Sequence, residues 1–238
     1  MAKTLFHPAN KRGHADHGWL NAHHSFSFAS WYDPTKIHFG ALRVLNDDIV
    51  APGMGFSSHP HDNMEIITII LDGTLEHKDS MGHTQQIVPN EVQVMTAGTG
   101  VVHSEYNPDR AKAVNLLQTW IFPDTKNVPP RYDQAMFDPS GRFNQWQMLV
   151  SPTGTADAGL KIHQQAWIYR TTLQKGQSLE HLFHSARHGG YLFVIEGAAT
   201  AEGQVLQKRD AVGISEGPGF TVTAQSDSEL ILFEVPML

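Results

Sequence analysis

Two short runs of this 238-residue chain carry side chains able to do chemistry together, Ser58-His59-Pro60-His61 and His103-Ser104-Glu105. In extended backbone, residues at i and i+2 project to one face, so His59 and His61 can share an ion, as can His103 and Glu105. The two runs offer three neutral imidazoles and a carboxylate. That set suits Fe(II), Mn, Co, Ni, Cu or Zn, whereas Mg and Ca prefer all-oxygen ligands. If the ion is six-coordinate, two positions stay open to water, substrate or O₂, as a catalytic site requires. Glu65 follows His61 at an even offset and points the same way if the strand is unbroken. The chain has no cysteine, which removes disulfides, thiolate metal sites and thiol nucleophiles and leaves N and O ligands.

The elements that must position these residues read as short strands. β-Branched and aromatic clusters bounded by Gly, Pro, Asn and Asp occur at 38–45, 65–71, 74–79, 91–95, 113–122 and 145–150. Pro60 donates no ladder hydrogen bond and suits an edge strand or a strand entrance. Gly98 and Gly100 permit a sharp bend that feeds the second ligand run into place. Asp72-Gly73 reads as a two-residue hairpin turn joining the strands on either side. Four prolines among Asp, Asn and Ser over 123–141 mark an interdomain connection. Strands resume at 166–173, 191–196, 198–202, 210–215, 220–224 and 229–235. Closely spaced short strands suggest a barrel or sandwich, here twice, and no long amphipathic helix appears. The expectation is an all-β chain of two domains, residues 1–135 and 136–238.

The wording around the histidines resembles a known family. Gly53-x5-His59-x-His61-x3-Glu65 with Gly73, and Gly100-x2-His103-x3-Asn107, are similar to the two cupin motifs. Gly98 departs from the second motif, which has Pro there. The runs His59-Pro60-His61-Asp62-Asn63-Met64-Glu65 and Gln93 through Glu105 resemble the pirin family, its bacterial quercetinase-like branch most of all. The likeness extends upstream through His24-Ser25-Phe26-Ser27-Phe28 and downstream through Pro130-Arg131-Tyr132. It implies a bicupin of two jelly-roll-like barrels, with one metal in the first held by His59, His61, His103 and Glu105, and no recognisable metal motif in the second. In this family the carboxylate ligand falls at Glu105, which makes Glu65 a wall or supporting residue. The implied cofactor is a divalent transition ion, Fe(II) favoured, with Cu, Mn, Co, Ni or Zn as alternatives. The implied activity is an O₂-dependent dioxygenase, quercetin 2,3-dioxygenase, that cleaves a flavonol ring and releases carbon monoxide, with Glu105 as general base. The alternative is a metal-bearing regulatory pirin that binds a protein partner without turnover.

The remaining histidines invite blander readings. His181, His184 and His188 lack H-x-H spacing and read as surface or pocket-rim residues, and His14, His17, His23 and His24 fit a solvated N-terminal loop. Met54, Phe56, Met64 and Trp120 read as core before they read as the wall of a ligand pocket. With 24 acidic and 17 basic residues, net charge −7 and no basic run longer than a pair, direct nucleic-acid binding is excluded. The longest apolar stretches fall far below the ~18 residues of a membrane span, and the start of the chain lacks an apolar signal segment, so a soluble, cytoplasmic protein is expected.

Overall fold

All six side chains of Glu65-Ile66-Ile67-Thr68-Ile69-Ile70 are buried, although alternate residues point to opposite faces of the strand. A run buried on both faces must lie in a sheet covered on both sides. The computed structural model, which describes residues 2–238, has this organisation twice. In the first barrel one sheet holds β2 (Gly13–Asp16), β3 (Leu20–His24), β4 (Leu42–Val50), β6 (Glu65–Asp72), β9 (Glu91–Thr96), β11 (Val114–Ile121) and β12 (Arg131–Met136). The facing sheet, in spatial order, is β5 (Gly55–His61), β10 (Val101–Tyr106), β7 (Leu75–Asp79) and β8 (Thr84–Ile87). The second barrel repeats the plan. Its larger sheet holds β13 (Gln147–Pro152), β14 (Leu160–Ile162), β15 (Trp167–Leu173), β17 (His188–Glu196), β20 (Ala211–Ser215) and β22 (Ser228–Pro236). Its smaller sheet runs β16 (Ser178–Leu182), β21 (Gly219–Ala224), β18 (Ala198–Ala201), β19 (Gln204–Gln207). The chain is therefore nearly all β, two jelly-roll-like cupin domains. No described helix is long and apolar enough to cross a membrane.

Three local expectations change. Asp72-Gly73 makes no hairpin, because β6 and β7 belong to different sheets; Gly73, at φ +84°, turns a corner between them. A glycine's positive φ reports a sharp turn but not which sheet receives the next strand. Glu196-Gly197 is the same corner in the second barrel, between β17 and β18. Residues 1–135 do not all stay in the first barrel. β1 (Lys3–His7) pairs with β20 and completes the edge of the second barrel's large sheet. It is pinned there by His7 Nδ1 against the Tyr191 hydroxyl at 2.9 Å and by the Ala9 N–H donating to Asp210 at 2.7 Å. The stretch 123–141 is not all connection either, since β12 hydrogen-bonds β9.

The largest core lies between the barrels. Ile67 and Ile69 of β6, Val92 and Val94 of β9, and Leu117 of β11 meet Ile231, Phe233 and Val235 of β22 and Tyr191 and Phe193 of β17. Alternate residues of the same strands fill the barrels, Ile70 and Leu116 in the first and Leu230 and Leu232 in the second.

Candidate metal centre

β5 is an edge strand, so Pro60 lies where a missing ladder hydrogen bond costs least. β5 pairs antiparallel with β10, which sets His59 opposite His103 and His61 opposite Val101. The register shifts between His103 and Glu105, an irregularity of the kind that re-aims side chains beside functional sites. Gly98 (φ +49°) and Gly100 (φ +135°) turn the chain into β10. Proline cannot adopt the first of these angles, and a Cβ at 98 would run into the Val128 carbonyl oxygen, which accounts for the departure from the general motif.

One ligand atom from each of His59, His61 and His103 lies within 4.8 Å of the others. Their tautomers are set by what surrounds them. His59 Nδ1 faces the Ser57 carbonyl at 2.8 Å and donates to it, leaving Nε2 with its lone pair. His103 is buried and its Nε2 has no partner at all, a lone pair with nothing to meet unless an ion is present. Burial, reinforced by neighbouring imidazoles, lowers the pKa of His61 to about 4 and of His103 to about 2. Both rings are thus neutral near pH 7, as metal ligands must be. The donor set fits a divalent transition ion.

Glu105 stands one step deeper. It groups with His103 and with His77, which lies opposite it on β7. Gln118 Nε2 donates to both its carboxylate oxygens, at 3.2 and 3.0 Å, while Gln118 Oε1 accepts from Thr68 at 3.0 Å. Burial raises the Glu105 pKa to about 7. Glu65 does not join the cluster. Asn63, at φ +44°, breaks the strand after His61, and Glu65 shares the seam-facing side of β6 with Ile67, where it accepts from Thr96 Oγ1 at 2.8 Å. Trp120 does stand at the site, its ring 4.9 Å from that of His61, while Phe56 packs in the core and Met54 is exposed.

His77 was not singled out from sequence. The signal was there: His77-Lys78-Asp79 repeats the His-x-acid spacing of His103-Ser104-Glu105. In the second barrel, His181 and His188 are buried and not surface residues, although His184 and His188 do border a cleft. Together with His184 they converge on Glu234, which accepts from His181 Nε2 (2.7 Å), His184 Nδ1 (3.0 Å), His188 Nδ1 (2.8 Å) and the His184 backbone N–H (2.7 Å). The rings radiate from a carboxylate instead of enclosing an empty centre, and among the described residues they form no compact metal-ligating group.

Comparison with known proteins agrees with this architecture. The Pirin family profile matches residues 5–121, and the profile of the quercetinase C-terminal cupin domain matches residues 148–235. A quercetin 2,3-dioxygenase of Escherichia coli (strain K12) is 43% identical over 228 residues, covering 96% of each chain. A pirin-like protein of Caulobacter vibrioides is 39% identical, over 95% of this chain and 97% of its own. The crystal structure of the bacterial pirin YhhW from Escherichia coli in complex with nickel(II) superposes with a TM-score of 0.93 at 40% identity, covering 99% of this chain and 100% of the other.

Proposed function

The chain belongs to the pirin family of bicupins, and on that basis we propose that it is a metal-dependent dioxygenase that opens the central ring of a quercetin-like flavonol with O₂ and releases carbon monoxide. The observation that carries the proposal is the set of three clustered imidazoles, one with a buried, partnerless nitrogen, beside a buried carboxyl whose pKa is about 7. His59, His61, His103 and Glu105 hold the ion, Fe(II) being our assignment. When bound, a divalent ion supplies Lewis acidity that lowers the pKa of the flavonol 3-hydroxyl and a place for O₂ to react. Glu105 is the group suited to take the hydroxyl proton, because it is the buried carboxyl beside the imidazole cluster. Gln118 steadies that carboxylate through both oxygens. Trp120, Met64 and Val101 form an apolar patch next to His61 that limits water. A cleft of about 300 Å³ lined by His61, Gly100 and Val102 adjoins the site.

A second observation supports the regulatory alternative. A cleft of about 430 Å³ is lined by Leu5, Phe39, Met237 and Leu238 and by none of the four ligand residues. Anaerobic loading with Fe, Mn, Co, Ni or Cu, followed by quercetin and O₂, separates the two readings. O₂ uptake with carbon monoxide release is expected. Silence with every ion sinks the enzyme.

A further inference from the structure

Beside His103 the first barrel buries a histidine, His77, that the proposed reaction does not use. His77 lies on β7 with its side chain fully buried, between Asp79 on its own strand and His103 on β10. Its Nε2 is 3.0 Å from Asp79 Oδ2. Asp79 is itself fixed, accepting from the backbone N–H groups of Met81 (2.9 Å) and His83 (3.1 Å) and from His83 Nδ1 (3.0 Å). An ionised carboxylate only accepts, so His77 Nε2 carries the ring proton and Nδ1 keeps the lone pair. That lone pair faces two groups, Gln93 Nε2 and His103 Nδ1, each at 3.5 Å. Two imidazole nitrogens so placed are compatible when one donates, and the donor must be His103. His103 Nε2, the buried atom without a partner, is then left as the acceptor on the side of His59 and His61.

We propose that His77, held by Asp79, is the positioning residue that fixes the tautomer and ring orientation of His103 and so decides which nitrogen it presents to the ion; this rests on the metal-site reading above. Metal-bound histidines characteristically donate their other N–H to a partner of this kind, and losing the partner commonly weakens metal binding 10- to 100-fold. The second barrel supplies an internal comparison. There Phe220 and Val222 take the places of His103 and Glu105 in the strand pairing, and the residue opposite Val222 is Ala201 where β7 has His77 opposite Glu105. Where the imidazole is absent, its partner is absent too.

The test is competition titration of the whole chain with nickel(II) against a chelator, with thermal midpoints confirming folding. His77→Leu should bind nickel about 10- to 100-fold more weakly while still taking one ion, and should shift the visible spectrum of the cobalt(II)-loaded protein. Asp79→Asn, nearly isosteric, should weaken binding about 10-fold, because an amide no longer obliges His77 to place its proton on Nε2. His77→Gln, whose oxygen accepts the His103 N–H, should recover most of the affinity. If His77→Leu and Asp79→Asn both bind nickel as the parent does while His59→Ala has lost it, His77 does not position His103. A fall from two ions to one in His77→Leu overturns the proposal as well, since His77 would then be a ligand. If His59→Ala binds as the parent does, it is the metal-site reading that fails.

Discussion

The two barrels share strand order, corners and the buried seam, yet they fill their interiors in opposite ways. In the first, β10 presents His103 and Glu105, β7 presents His77, and the walls add Asp48, Thr68 and Gln118. In the second, the matching positions hold Phe220, Val222 and Ala201, packed with Leu230, Leu232 and Tyr169. Its one inner carboxylate, Glu234, has four donors. The first barrel leaves buried polar atoms without partners, among them His103 Nε2, Asp48 Oδ1 and Trp120 Nε1. A site built to receive something keeps unmet hydrogen-bonding capacity, and a structural polar cluster closes upon itself. The number of histidines does not separate the two cases; what their nitrogens face does.

The contrast breaks most visibly if metal content fails to follow it. His103→Ala should abolish retention of the ion, and His181→Ala should leave it unchanged, as elemental analysis of the two purified variants would measure. Next in size, Glu234→Gln should destabilise the protein by about 3 kcal/mol, because an amide turns a donor toward imidazole N–H groups and removes the charge they converge on. A fall in thermal midpoint of roughly 6–12 °C is expected, with metal content preserved. Burial alone would raise the Glu234 pKa, but the donors from His181, His188 and His184 outweigh it and hold the carboxyl well below the usual carboxylate range. Its contribution is therefore present above the unfolded-state pKa and survives mild acid.

A pH dependence sharpens the comparison from the other side. Burial, with repulsion from Asp47 and Glu105, raises the Asp48 pKa to about 8. The folded state thus holds this proton more tightly than the unfolded chain does. Asp48 costs little near pH 4, and the cost grows as pH rises from the unfolded pKa toward 8. Asp48→Asn should stabilise the metal-free protein increasingly as pH rises from 4 to 9, and hardly at all at pH 4. Thermal melts of both proteins at the two pH values test this, and equal gains at both would contradict it.

Much of this was legible in sequence because β structure preserves a period of two. His59 and His61 meet His103 as their spacing implied, and most of the apolar runs became the expected strands. What escaped depends on contacts distant in sequence. His77 and His103 are 26 residues apart, and Glu234 is 46 to 53 residues from its histidines. The aim of Glu65 turned on one left-handed residue, Asn63. Asp72-Gly73 carried the right φ and the wrong partner strand. The seam was hidden because a strand apolar on both faces does not say which neighbour covers each face.

β1 has a consequence for how the molecule is made. Residues 3–7 leave the ribosome long before residues 211–215, the strand they must pair with. The first barrel can close while this segment waits, and the second barrel's large sheet has a bare edge at β20 until the segment docks. An unpaired strand edge is a template for another copy's strand. Trimming those few residues would therefore harm the barrel farther along the chain, and would do so through self-association during synthesis more than through any loss at the metal-binding end.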